Sequence, residues 1–315
     1  MKIKFTSYNL FENYKLNNKT LKPIPMKNKT KAHRSILILF VIGLVYTSSL
    51  SLHAQLNDKY GSLSFNNAIN VSGKQRMLTQ KMSKAYLYLL KNANDVKVKR
   101  DLLSSKIIFE EQNRVLLQNT QFKGTIEKLT RVNEIWKEFK ILIETQPSYD
   151  NAKKVIETNT DLLKAADAVV SSIIIESKNS FQSIKDDINE SYLVEDRLEL
   201  EGIINISGRQ RMLSQRLAFY YYANQMELKN KNSYQMLNNA FHELDGAINK
   251  FLICKFNTPE IDEKIGLTFS QWNMIKKNRD KLNNQKFTDE EIYKMSNELT
   301  RLFNDITYLY EKVKI

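Results

Sequence analysis

Two arginines, Arg76 and Arg211, occupy matching positions in a stretch of sequence that occurs twice in the chain. A guanidinium is planar, permanently charged and carries paired N–H donors, so it is well suited to holding a planar oxyanion. Because a monovalent anion needs few charges, one arginine from each of two facing helices would suffice. The chemistry that these residues indicate is therefore the binding of a small oxyanion.

The repeated stretch is INVSGKQRMLTQKM from Ile69 to Met82 and INISGRQRMLSQRL from Ile204 to Leu217. Nine of its fourteen positions are identical and the other five are conservative pairs. The offset between Gly73 and Gly208 is 208 − 73 = 135 residues, which indicates a duplicated domain rather than a short solenoid repeat. Retention of Gly-x-Gln-Arg-Met-Leu in both copies favours a binding role, because a merely solvated face has no reason to survive duplication.

Small hydroxyl residues share the helix face of each arginine, and a glycine lies one turn before it. Hydroxyls could complete the shell around a small anion, and a missing side chain would let another backbone or helix approach. The alternative is a solvated polar face in which the glycine serves packing alone. The candidate ligand-binding residues from this pattern are Arg76, Ser72, Gly73 and Thr79 in the first copy and Arg211, Ser207, Gly208 and Ser214 in the second.

The elements that position these residues are predicted to be long helices, because the 315 residues include only 8 Gly and 4 Pro. In the first copy an apolar stripe from Val71 through Leu78, Met82 and Ala85 to Leu89 predicts the buried face of the motif helix. Helices are predicted over about 57–93, 97–119, 125–145 and from about 150, then from the second motif to about 230, 232–254, 260–283 and after Thr288.

Four helices in each copy predict an all-α fold of two tandem antiparallel four-helix bundles. The predicted domains are residues 55–176 and 201–315, joined by a helical connector over 177–200. A continuous connector would place the second bundle beyond the end of the first, whereas a turn would let the two bundles lie side by side. The sequence leaves both arrangements open.

Residues 1–54 are predicted to be a basic N-region and an export segment. Residues 1–34 carry nine Lys or Arg and one acid, so +8 of the net charge of +13 lies there. Residues 35–52 contain no charge and are followed by His53-Ala54. This pattern predicts a signal peptide cleaved near Ala54, or an uncleaved membrane anchor, with Met26 as an alternative start. Either way the remainder is predicted to be periplasmic or extracytoplasmic.

Several functional classes are disfavoured by composition. The charge of +5 left for the rest of the chain is mild, so we predict no nucleic-acid-binding surface. The single cysteine, Cys254, excludes an internal disulfide and is predicted to be a buried small hydrophobe. Beyond the export segment His242 is the only histidine, which leaves no zinc cluster and no Ser/His/Asp set. We predict no enzyme, no metal and no cofactor.

The two motifs resemble the signature of the PilJ-type sensor domain, found at the N-terminus of type IV pili methyl-accepting transducers. They are more distantly similar to the P-box of NarX-like nitrate/nitrite sensor kinases. The residues that carry the resemblance are Ser-Gly-Lys/Arg-Gln-Arg-Met-Leu-Ser/Thr-Gln-Lys/Arg. It covers most of residues 56–315, strongly only at the motifs, and implies an exported antiparallel four-helix bundle.

The resemblance also implies roles for particular residues. In the nitrate sensors the arginine before the methionine holds the anion between two first helices, which corresponds here to Arg76 and Arg211. Lys81 and Arg216 match a second basic position of the box. Two copies in one chain could form the arginine pair internally instead of through a homodimer. The chain departs from the nitrate-sensor box at Lys74-Gln75 and Arg209-Gln210, where it follows the PilJ pattern.

The function expected from the sequence is an exported sensor-type module that binds a small oxyanion such as nitrate or nitrite. No kinase, HAMP-like linker or methyl-accepting helix is recognisable, so an unidentified signalling or envelope protein is the expected partner, and a homodimer is possible. Membrane contact is expected only through residues 35–52 if they are not cleaved. The alternative is a structural or interaction protein of the envelope that binds no small ligand and uses the motif as an interhelical seam.

Overall fold

The computed structural model of the protein describes residues 59–182, 191–228 and 232–315. These residues form nine helices and one short β-hairpin, so the predicted all-α fold is confirmed. The predicted export segment, its cleavage position and the alternative start at Met26 lie outside the described residues. Within the described part of the chain, no helix combines the length and apolar composition that crossing a membrane requires.

The first repeat begins with a hairpin of β1 (Lys59–Tyr60) and β2 (Leu63–Ser64). Its helices are α1 (Phe65–Lys91), α2 (Val96–Asn119), α3 (Lys123–Glu144) and α4 (Tyr149–Gln182). The prediction of helix from about residue 57 was wrong, because the chain turns at Gly61 with a φ of 62°, and a Cβ there would lie 2.5 Å from the Asn119 carbonyl oxygen. The predicted break at Gly124 falls instead at residues 120–122.

The second repeat contains α5 (Ser191–Gln225), α6 (Ser233–Leu252), α7 (Pro259–Lys277), a short α8 (Arg279–Asn283) and α9 (Asp289–Lys312). The predicted caps are confirmed: the Thr258 side chain caps α7 with Pro259 in its first turn, and Thr288 forms a capping box with Glu291. The helix predicted over 260–283 is divided at Asn278 into α7 and α8.

The two motif helices, α1 and α5, share the most extensive contact between any two of these elements. Around them, α2 and α4 pack on α1, while α6 and α9 pack on α5; α3 packs on α4 and α7 on α9. Near their C-terminal ends the rings of Tyr88 and Tyr222 lie 6.0 Å apart. About four turns before these tyrosines, the motif glycines of both helices face the same two arginine side chains. The two helices therefore run side by side in the same direction.

This packing bears on the predicted connector over 177–200. Its middle, residues 183–190, lies outside the described residues. Within the described residues the two motif helices lie side by side, and the choice between a continuous and a turned connector falls outside those residues. The described residues from 59 onward belong to one compact unit, and the division into domains 55–176 and 201–315 stays a prediction.

The duplication extends beyond the motif into the core. Leu78, Met82, Ala85 and Leu89 of the predicted stripe are buried, and Val71 is half-buried. In each repeat a tryptophan of the third helix donates its Nε1–H to a carboxylate of the second helix. The same carboxylate accepts from a lysine that lies one turn after the tryptophan on the third helix. These sets are Trp136, Glu110 and Lys140 in the first repeat and Trp272, Asp245 and Lys276 in the second.

Candidate functional site

The two motif arginines lie between α1 and α5 and are shielded from solvent. Arg76 is 2% exposed and Arg211 is 0% exposed. The solvated-face alternative is therefore wrong for these residues: the polar face of each motif helix is turned toward the other motif helix instead of toward water. The sequence alone could not decide this, because a polar stripe on one helix does not reveal what packs against it.

Arg76 is held by one residue of its own repeat and one of the other. Its Nη1 donates to Oδ1 of Asp167 on α4 at 2.7 Å, forming an ion pair. Its Nη2 donates to Oδ1 of Asn205 on α5 at 2.7 Å and to the Asn205 carbonyl oxygen at 3.3 Å. The guanidinium thus joins the first repeat to the motif helix of the second.

Arg211 makes the reciprocal contact with weaker partners. Its Nη1 donates to Oδ1 of Asn304 on α9 at 3.1 Å, and its Nη2 donates to the carbonyl oxygen of Asn70 on α1 at 3.3 Å. The side-chain amide of Asn70 donates instead to Glu311, which also accepts from Asn67 at 2.9 Å. Both hydrogen bonds of Arg211 therefore go to uncharged oxygens.

The two guanidiniums converge over the motif glycines. A Cβ on Gly208 would lie 3.0 Å from Nη2 of Arg211 and 3.6 Å from Nη2 of Arg76, and a Cβ on Gly73 would lie 3.3 and 3.4 Å from the same two atoms. The space left by each missing side chain is thus taken by arginine heads. Among the described residues, Nε of both Arg76 and Arg211 is buried without a hydrogen-bond partner.

Burial makes the positive charge on this pair costly. Desolvation and the neighbouring Arg76 together lower the pKa of Arg211 to about 9, while Glu311 opposes the shift. Desolvation also lowers the pKa of Arg76, against the hydrogen bond and charge of Asp167. Both guanidiniums are still charged at neutral pH, so two like charges are held close together in a region with little water to screen them.

The predicted hydroxyl residues lie beside the arginines but direct their protons elsewhere. Ser72 donates to the Ile69 carbonyl at 3.1 Å, and Thr79, Ser207 and Ser214 likewise donate to carbonyls three or four residues earlier in their own helices. An anion needs donors, and these hydroxyl protons are already engaged with the backbone. In this structure these hydroxyls donate to their own helices, and their place in an anion shell stays a prediction.

The second basic position of each motif points away from the arginine pair. Lys81 forms an ion pair with Asp101 on α2 at 2.5 Å. Arg216 lies over the ring of Tyr220 and reaches the sulfur of Met236 on α6 at 3.6 Å. Both side chains therefore pack outward on the flanking helix of their own repeat, and the inclusion of Lys81 and Arg216 in the site is corrected.

Several residues of the site were missed at the sequence level. Asn70 and Asn205 carried a signal, because they are equivalent positions of the repeated motif, six residues before each arginine. Asp167 and Asn304 carried none, since their roles depend on how α4 and α9 pack against the motif helices. The motif glutamines have a structural role: Gln80 and Gln215 donate to Asn159 and Asn297 in the last helix of each repeat at 2.8 and 3.1 Å.

The cysteine and the histidine of the described residues do not take part in this pair. Cys254, predicted to be buried, is a free, half-buried cysteine that packs against the core. His242 contacts Arg279 at 3.1 Å on the exposed surface of α6. Within the described ranges, no group of three or more His, Cys, Asp or Glu residues has an arrangement that could hold a metal ion.

Substituting the glycines tests the close packing of the arginine heads. Replacing a helical glycine by alanine normally stabilises a helix by about 0.5–1 kcal/mol, and we expect this gain for Gly246→Ala, where a Cβ would meet nothing within 4 Å. Gly208→Ala is expected to lose that gain and to lower the free energy of unfolding, because the added Cβ, 3.0 Å from Nη2 of the buried Arg211, would push this atom from its position against Asn70. Urea denaturation of both variants checks this, and equal stabilisation by both would contradict it.

Comparison with known proteins adds no relative. The chain matches no protein-family model, no curated protein and no solved structure. The likeness to PilJ-type and NarX-like sensor domains therefore rests on the two motifs that the sequence contains. The chain is an all-α protein built on an internally duplicated motif helix.

Proposed function

We propose that the protein is a sensor-type module in which Arg76 and Arg211 together bind one small oxyanion, such as nitrate or nitrite, between α1 and α5. The observation that supports this most is the pair of buried guanidiniums whose Nη2 atoms converge over the motif glycines while both Nε–H groups lack a partner among the described residues. An unpaired buried donor is unfavourable, and an oxyanion accepts from several donors at once.

The charges of the two arginines also favour a bound anion. The two guanidiniums repel each other, and burial together with the charge of Arg76 lowers the pKa of Arg211. Asp167 is hydrogen-bonded directly to Arg76. An anion placed between the two arginines would relieve the repulsion and supply acceptors for the free N–H groups. Because the two helices belong to different repeats, its occupancy would strengthen the contact between the repeats.

The wider role follows from this site and from the sequence. We place the protein outside the cytoplasm, released or anchored through residues 35–52, with a signalling or envelope protein that responds to anion occupancy. Tightening of α1 against α5 on binding is the change that such a partner would detect, since these two helices share the largest contact of the fold. A ligand shifts a conformational equilibrium only if it binds one state more tightly than the other. The anion must therefore bind the state with α1 and α5 close together more tightly than the state with them further apart.

The experiment is a thermal unfolding series of the purified protein in sodium nitrate, nitrite and chloride at equal ionic strength. Nitrate or nitrite is expected to raise the melting temperature, because a ligand that binds only the native state stabilises it by mass action. The double variant Arg76→Ala with Arg211→Ala is expected to lose the shift. The matched control, Arg114→Ala with Arg301→Ala, removes two exposed arginines on α2 and α9 and should keep it.

The absence of a shift with any small anion in the panel would overturn the binding proposal. A shift that persists in the Arg76→Ala/Arg211→Ala variant would place the anion elsewhere. Loss of the shift in the control pair as well would indicate a general effect of surface charge rather than a site.

A structural role is a second candidate, and one observation favours it. The arginines cross between the repeats, Arg76 to Asn205 and Arg211 to Asn70, so the motif also acts as a seam between α1 and α5. If that were its whole purpose, removing the arginines would lower stability and no anion would change the melting temperature. Under the anion-binding proposal, nitrate or nitrite instead raises the melting temperature of the unaltered protein, and the Arg76→Ala/Arg211→Ala variant loses that rise.

A further inference from the structure

The two arginines stand in different charge environments, although they occupy equivalent positions of the repeat. Nη1 of Arg76 donates to the carboxylate of Asp167 at 2.7 Å, whereas Nη1 of Arg211 donates to the side-chain amide oxygen of Asn304 at 3.1 Å. Asp167 and Asn304 lie on the last helix of their respective repeats. The second repeat therefore has a neutral amide where the first has a negative charge.

The neighbouring charges do not restore the balance. Asp305, which follows Asn304, is bound to Arg301 at 2.9 Å. Glu311 contacts Asn67 and Asn70 rather than a guanidinium. Its negative charge is also paired with the amine of Lys312, at 3.9 Å.

These contacts leave the arginine pair with one net positive charge. The two guanidiniums contribute two positive charges, and Asp167, bonded directly to Arg76, contributes one negative charge. A singly charged anion would neutralise this arrangement. A doubly charged anion would leave an excess negative charge out of water, which is unfavourable.

We propose that Asp167 sets the charge of the ligand, so that the site accepts monovalent oxyanions and discriminates against divalent ones such as sulfate. In this arrangement Arg211 neutralises most of the anion's charge, because its own hydrogen-bond partners are uncharged. The charge of Arg76 is shared between the anion and Asp167. The inference rests on the proposed function and assigns a specificity role to a residue outside the motif.

The position of Asp167 suits this role. Its side chain is 45% exposed, so the carboxylate can be solvated when an anion draws Arg76 away from it. A fully buried carboxylate would bind Arg76 too tightly to be displaced. The exposure also means that removing its charge should leave the fold intact, because the substituted side chain still reaches water.

The test compares the dissociation constants of nitrate and sulfate, measured by calorimetry at fixed ionic strength, for the whole protein and two reciprocal variants. Asp167→Asn leaves the pair doubly positive, and the affinity for sulfate relative to nitrate is expected to rise by about tenfold or more. Asn304→Asp neutralises the pair, and nitrate binding is expected to weaken by about tenfold or more. The control is Asp161→Asn, which removes an exposed carboxylate on the same helix as Asp167. This variant should change neither the affinity for nitrate nor the affinity for sulfate relative to nitrate.

The outcomes separate this inference from the function on which it rests. If the unaltered protein binds nitrate and Asp167→Asn leaves the sulfate-to-nitrate ratio unchanged, the role of Asp167 is overturned and anion binding stands. If Asn304→Asp binds nitrate as tightly as the unaltered protein, the charge count is wrong. If the unaltered protein binds neither anion, the proposed function fails and this inference fails with it.

Discussion

Replacing Trp272 by alanine is expected to lower the free energy of unfolding by about 3–5 kcal/mol. Trp272 is the largest side chain of the described residues that is fully buried, and its ring lies 4.8 Å from that of Phe241. Its Nε1–H donates to Asp245 at 2.9 Å, so the substitution removes both packing and a hydrogen bond to a charged group. Urea denaturation monitored by circular dichroism gives the difference in free energy.

The control for this substitution lies two residues away on the same helix. Met274 is 53% exposed, so Met274→Ala removes little buried surface and is expected to change the free energy by less than about 0.5 kcal/mol. A loss below about 1 kcal/mol for Trp272→Ala, after allowing for any change in the dependence of the free energy on urea concentration, would mean that Trp272 is not packed against Phe241 of α6 as described.

Replacing Arg211 by methionine is expected to have a large effect of the opposite sign. The guanidinium is fully buried, its two hydrogen bonds go to neutral oxygens and Arg76 repels it. Exchanging buried ionic groups for apolar side chains of similar size is often stabilising by about 1–4 kcal/mol, and we expect a gain in that range for Arg211→Met. The same variant should lose the nitrate response.

The matched change is Arg76→Met, which is expected to gain less. It removes a buried charge too, but it also breaks the ion pair with Asp167. Guanidinium chloride is unsuitable for these measurements because it adds salt, so thermal and urea unfolding should be compared. A fall in stability for Arg211→Met would favour the seam interpretation over anion binding.

The pH dependence of Arg211→Met follows from the lowered pKa. In the folded protein the pKa of Arg211 is about 9, against an ordinary value of 12.5, so between these values the unfolded chain binds the additional proton. The stability of the unaltered protein therefore receives a rising contribution from this group above about pH 9, and the full cost of the buried charge is present below it. Arg76, Lys74 and Glu311 face this guanidinium. The advantage of Arg211→Met should accordingly shrink as the pH rises above about 9.

The sequence predicted much of the fold because helix signals are local. Thr258 with Pro259, and Thr288 with Glu291, gave two helix starts to the residue. The hairpin before α1 was missed because its turn depends on Gly61 fitting against Asn119, a residue more than fifty positions away in the chain. Local composition carries no information about that contact.

The candidate site divides in the same way. Repetition of the motif was sufficient to identify Arg76 and Arg211, because duplicated residues are visible without a structure. The partners Asp167 and Asn304 depend on the register between helices that are separated by ninety residues or more, and so sequence spacing gave no hint of them. The hydrogen bonds of Ser72 and its counterparts to their own helices could not be predicted for another reason. Helical periodicity gives the face on which a side chain lies but not the atom to which its hydroxyl donates.

The parallel pairing of α1 and α5 within a single chain has a consequence for stoichiometry. In a receptor whose two half-sites come from separate molecules, dilution separates the halves and lowers the apparent affinity for the ligand. Here a covalent tether supplies both halves in a fixed one-to-one ratio, so the paired arginines persist at any protein concentration. Because both halves belong to one chain, their sequences can differ. Arg76 can therefore bind an acid, Asp167, while Arg211 binds an amide, Asn304.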